Sequence, residues 1–91
     1  MTNKSTDTNR ELGRKKLMMR LPLLRDQLRR VSGEQIESMF VDYERVSRSR
    51  DKVRAQKGAP PEWAADYKNL MLELEEGVRQ YLAGQRWQDF Q

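Results

Sequence analysis

The chain has 91 residues, 35% of them charged and only about one in five Leu, Ile, Val or Phe. That bounds it to one thin domain, near the limit at which a chain can bury a core of its own. With no Cys and no His, it excludes disulfides and the zinc sites built from thiolate and imidazole, and no cofactor is expected. The formal charge of +4 is uneven: residues 1–30 hold nine Lys/Arg against three Asp/Glu, residues 31–56 five of each, and residues 57–91 four against six.

Residues 1–8 are polar, lack an apolar anchor, and are expected to be a disordered tail. Thr8-Asn9-Arg10-Glu11 fits a capping box, with Thr at the N-cap and Glu three residues on, so a basic helix is predicted over about 9–20. Gly13 inside it costs roughly 1 kcal/mol relative to Ala. Pro22 lacks an amide donor and crowds the preceding turn, so it either starts a second helix, over 22–31, or kinks a longer one. Leu17, Leu21, Leu24, Leu28 and Val31 step by four and three across it, so the apolar face continues either way.

Ser32-Gly33-Glu34-Gln35 supplies the next boundary, with Ser32 the expected N-cap of a long helix over about 34–56. Its stripe reads Ile36, Met39, Tyr43, Val46, Arg50, Val53. Gly58 stops this helix, and Pro60-Pro61 starts the last, over 61–83, with Glu62 complementing the dipole of its first turn. The stripe there reads Trp63, Tyr67, Leu70, Leu74, Val78, which places Tyr67 and Leu70 in the core opposite Tyr43 and Val46. Gly84 is expected to end the helix and leave 85–91 as a tail. The fold class is all-α: a small antiparallel bundle of three to four helices dominated by the C-terminal αα-hairpin, in a single domain over 9–84.

The side chains carry little catalytic chemistry. No His stands ready to activate a serine, no Ser-x-x-Lys pattern occurs, the glycines are isolated, and the carboxylates are scattered over charged faces; no enzyme is expected. The longest apolar run is three residues, Leu17 to Met19, far short of a membrane span, and the polar N-terminus does not read as a signal peptide. A cytoplasmic setting is the expectation.

What remains is charge. Arg10, Arg14, Lys15, Lys16 and Arg20 make the first helix cationic, and Arg25, Arg29 and Arg30 extend it. Arg45, Arg48 and Lys52, at i, i+3 and i+7, add a basic stripe to the long helix. Forked arginine donors suit phosphate oxygens, and each phosphate contact releases condensed counterions. The bland reading is a solvated surface partly neutralised by Asp42, Glu44 and Asp51. The Ser-Gly turn loosely resembles that of a helix-turn-helix, but Glu34 and Glu37 at the start of the following helix would repel phosphate. Arg50 sits where the stripe calls for an apolar residue; it either pairs with Glu62 or Asp66 or packs its stem and sends its head to water. Trp87 and Phe90 in the tail either dock on the bundle or contact a partner protein. Arg29-Arg30-Val31-Ser32 fits a basophilic kinase site, although an N-cap role accounts for Ser32 equally well.

The reading is a small binding protein whose expected partner is DNA or RNA, contacted through the basic N-terminal region as an accessory or regulatory factor. The alternative is an adaptor or inhibitor whose basic face docks on an acidic protein surface. A homodimer is compatible with both, since it shares a small core.

Overall fold

The structure is a computed structural model in which the backbone is described for residues 4–89 and the side chains for residues 8–85. It has four α-helices and no strand among the described residues: α1 (Lys4–Arg20), a 3₁₀ turn (Pro22–Leu24), α2 (Arg25–Arg30), α3 (Glu34–Ala55) and α4 (Pro61–Asp89). The all-α class is as expected.

Helix α1 begins before the anticipated cap, so residues 4–8 are helical and residues 1–3 lie outside the described residues. Thr8 and Asn9 are weak helix formers but not breakers, and no proline bars the extra turn. Pro22 disfavours helical dihedrals in the residue before it, and Leu21 leaves the helix at φ −124°, ψ 66°. The proline then opens the 3₁₀ turn, closed by Leu24 N–H donating to the Leu21 carbonyl at 2.9 Å. The apolar register survives this break, since Leu17, Leu21 and Leu28 are buried and Leu24 and Val31 pack against them.

Ser32 does not cap α3. Gly33 does, at φ +128°, a dihedral that side-chain-bearing residues rarely adopt. Its N–H donates to Glu37 Oε2 at 2.8 Å, the reach-back half of a capping box moved one residue along. At the far end Gln56 turns extended, Gly58 takes φ +82°, and Pro61 opens α4. Gly84 does not stop α4: the helix continues to Asp89, so part of the anticipated 85–91 tail is helical. A glycine costs a helix only about 1 kcal/mol, and buried Leu82 anchors the turn before it.

Helix α3 runs through the middle, and α1 packs on it as extensively as α4 does, so the hairpin alone does not dominate the fold. Helices α1 and α3 come close at Gly13, where a Cβ would fall 1.9 Å from the Phe40 carbonyl oxygen; only glycine lets the two backbones meet there. On the other side Met39 meets Gly77 and Tyr43 meets Glu75, so the pairings run in opposite order along α3 and α4. All four helices contribute to the core, namely Leu17, Leu21, Leu28, Ile36, Phe40, Tyr43, Met71, Val78 and Leu82.

The core face of α4 keeps Val78 of the anticipated stripe, with Leu74 packed against its edge, but is rotated by one residue in the preceding turns. Met71 is buried, whereas Leu70 is 44% exposed, Trp63 is 48% exposed and Tyr67 is half-buried. The rotation follows from Glu75, which is buried because Tyr43 and Arg20 satisfy it, so the turn that carries it can face inward. On α3 the buried set is Ile36, Phe40, Tyr43, Glu44 and Ser47, with Met39 and Val46 flanking it. No residue from 48 to 70 is buried. This end of the hairpin forms an arm beyond the core of a molecule measuring 53 × 33 × 18 Å.

Candidate functional site

The basic side chains divide into those that hold the fold together and those that face outward. Arg14 belongs to the first group: it donates to the carbonyls of Leu28 (2.7 Å), Val31 (3.0 Å) and Arg29 (3.1 Å), which α2 leaves without intrahelical partners. Its guanidinium also lies 4.9 Å from the centre of the Phe40 ring. Arg10 donates to Glu37 Oε1 at 2.9 Å. Lys16 pairs with buried Glu44 at 2.6 Å and donates to Ser47 Oγ at 2.9 Å, while Arg48 reaches the other Glu44 oxygen at 3.1 Å and Asn9 Oδ1 at 2.9 Å. These residues are therefore engaged within the fold and are not a free cationic face, which corrects the expectation of a basic binding surface that includes Arg10, Arg14, Lys16 and Arg48.

A second buried carboxylate completes the polar framework. Glu75 Oε2 accepts from Tyr43 Oη at 2.6 Å and from Arg20 Nε at 3.2 Å, joining α1, α3 and α4 at one atom. Burial pushes the Tyr43 hydroxyl well above the usual tyrosine range, and its hydrogen bond to Glu75 adds to the shift. The same carboxylate, through its hydrogen bond and charge, raises Arg20 further.

Above this framework lies an open groove of about 620 Å³. Lys16 and Arg20 line it from α1, Arg50 and Arg54 from α3, and Lys68 from α4. The acidic residues lining it are Asp51, 3.5 Å from Arg50, and Glu75, which Tyr43 and Arg20 already engage. Arg54 and Lys68 have no carboxylate partner among the described residues. Ala64, Ala65, Met71 and Leu72 supply an apolar floor. Arg50 thus borders this groove beside Asp51 instead of meeting Glu62 or Asp66.

On the other flank of α1, Lys15, Arg29 and Arg30 line a shallower hollow of about 510 Å³ together with Glu11, Arg14, Met18, Val31 and Ser32. Arg29 lies 3.6 Å from Asp26, and Arg25 makes a long contact of 3.5 Å with the Met18 carbonyl. The anticipated stripe of Arg45, Arg48 and Lys52 does not hold as a unit: Glu44 and Asn9 draw Arg48 aside, Arg45 lines a separate hollow with Asp42 and Glu73, and Lys52 is exposed.

Sequence reasoning named Lys16 and Arg20 but missed Arg54 and Lys68. The i, i+4 spacing of Arg50 and Arg54 was a readable signal for one wall; nothing local brings Lys68 to it. The backbone at Trp87 belongs to α4, while its side chain and Phe90 lie outside the described residues. Among those residues no set of His, Cys, Asp or Glu side chains groups to hold a metal ion, and no helix is long and apolar enough to cross a membrane. Comparison with protein-family models, with curated proteins and with solved structures gave no match, so the functional reading stands on the groove itself.

Proposed function

We propose that this protein is a non-enzymatic accessory or regulatory factor that binds nucleic acid through its phosphate backbone. The carrying observation is the convergence of five cations from three helices on one groove: Arg54 and Lys68 have no carboxylate partner among the described residues, and Lys16, Arg20 and Arg50 border it while paired with Glu44, Glu75 and Asp51. Among its described lining residues, Asp51 is the one acid that Arg20 and Tyr43 do not already engage. Arginine forks match phosphate oxygens, and the hollow with Lys15, Arg29 and Arg30 extends the positive surface around α1. The groove's described lining residues include no exposed aromatic ring for stacking and no Asn or Gln for base edges, so binding follows the backbone and not the sequence. DNA and RNA are both suitable ligands.

The test uses Arg54→Gln with Lys68→Gln, because neither side chain supports the fold. Fluorescence anisotropy with duplex and single-stranded probes across a salt series should show log-linear binding. The double variant should bind every probe more weakly, with a duplex salt slope smaller by about 0.9 for each phosphate that is no longer neutralised. A wild-type protein that binds no probe at low salt, or a variant that binds as before, refutes the reading.

The apolar floor favours a second reading, an acidic amphipathic segment of a partner protein. Leu72, 44% exposed, would then anchor the contact. That interface would depend less steeply on salt, and Leu72→Ser would weaken it while leaving nucleic-acid binding unchanged.

A further inference from the structure

Helix α4 carries two apolar stripes; the core takes one of them fully and only Leu74 of the other, which packs against its edge. Met71, Val78 and Leu82 face inward with Glu75. Trp63, Tyr67, Leu70 and Leu74 step by four, three and four along a neighbouring face, the spacing of a helix–helix seam. Trp63 and Leu70 are about half exposed, and Tyr67 and Leu74 are half-buried. Alongside them, on the side of the α3–α4 pair that the cationic groove does not occupy, is a shallow hollow of about 340 Å³. Val46, Leu70 and Leu74 form its apolar part; Asp42, Arg45 and Glu73 form its rim.

We propose that this side is a homodimer interface in which two copies pack their α3–α4 hairpins about a twofold axis. The charge on the rim selects the occupant. It holds two carboxylates and one guanidinium, so a uniformly acidic partner meets net repulsion and a uniformly basic one leaves Arg45 opposed, whereas a second copy can set Arg45 against Glu73 or Asp42 of its partner. The groove cations lie on the far side, so the pairing does not oppose them. The arm's own architecture agrees: with no buried residue from 48 to 70, it lacks a core of its own, and a second arm would supply the missing layer. The proposal does not depend on what the groove binds.

Analytical ultracentrifugation of the full chain, freed of nucleic acid, tests it across a concentration series. The wild type should show a reversible monomer–dimer equilibrium. Leu70→Asp should weaken dimerisation by about tenfold or more, with helicity unchanged because Leu70 lies outside the core. Arg45→Glu and Glu73→Arg should each weaken it, and the two together should restore it, a rescue that charge complementarity across the axis predicts and a general loss of folding does not. If Leu70→Asp fails to fold, the charge swap still decides. A wild type that stays monomeric up to its solubility limit, or a dimer that these changes leave intact, overturns the proposal.

Discussion

Gly13→Ala should destabilise the protein, although in an isolated helix the same change is stabilising. Alanine favours helix over glycine by about 1 kcal/mol. The added methyl would lie 1.9 Å from the Phe40 carbonyl oxygen and 2.6 Å from its carbon, both backbone atoms of α3 at a fully buried residue. A tolerable carbon–oxygen contact is about 3.3 Å, so α1 must withdraw from α3 by roughly 1.4 Å. A gap of about 0.5–1 Å already forfeits a quarter to a half of each dispersion contact, and the packing at stake is that of Leu17, Ile36 and Phe40. Losing about half the packing of two or three such side chains costs about 3–6 kcal/mol, on the scale of large-to-small core substitutions. The net expectation is a loss of about 2–5 kcal/mol after the helical gain is subtracted. Urea denaturation followed by far-UV circular dichroism measures it. A Gly13→Ala variant more stable than wild type would show that the two backbones do not meet at this position.

Two further substitutions test the polar framework. Arg14→Gln should cost about 2–4 kcal/mol, because the carbonyls of Leu28, Arg29 and Val31 lose a charged donor and Phe40 loses its cation, whereas neighbouring Lys15→Gln should stay within about 0.5 kcal/mol; equal melting temperatures for the two variants would exclude the capping role. Tyr43→Phe should cost about 1.5–3 kcal/mol at neutral pH by removing the hydrogen bond to Glu75. Because the folded-state pKa of Tyr43 is raised, its stabilisation is complete below the unfolded value of about 10 and is lost as pH rises above it toward the folded value. Urea midpoints at about pH 8 and about pH 11 should therefore converge between wild type and Tyr43→Phe, and profiles that remain parallel would refute the assignment.

The features written locally in the sequence were legible. Pro22, Gly58 and Pro61 set boundaries by their own backbone constraints, and the Leu17–Val31 register was readable because every member is apolar. Glu44 and Glu75 were not readable in this way. A carboxylate in a helical repeat looks solvent-facing until its partners are known, and those partners come from distant turns: Lys16 for Glu44, Arg20 and Tyr43 for Glu75. Missing them rotated the face assigned to α4 and put Leu70 where Met71 belongs. The same long-range pairing hid which cations were already engaged, so Arg14 and Lys16 read as surface. Gly13 carried an ambiguous signal, since a glycine in a helix reads as a weakness whether or not another backbone crosses it. The groove was half visible for a related reason: Lys16 and Arg20 are adjacent turns of one helix, but their meeting with Arg54 and Lys68 depends on how three helices pack.

The unburied arm divides the groove between a firm support and a loose one. Lys16 and Arg20 stand on α1, which is packed into the core, whereas Arg54 and Lys68 stand on the arm. Amide hydrogen exchange should accordingly be slowest around Phe40 and Val78 and fastest toward Gly58, with the arm opening at a free energy well below that of global unfolding. Such an opening dismantles the groove while the rest of the molecule stays folded. An occupant bridging Lys16 to Lys68 would clamp the arm against the body. Its binding would register first as slowed exchange between residues 48 and 70, ahead of any change in the global melting transition.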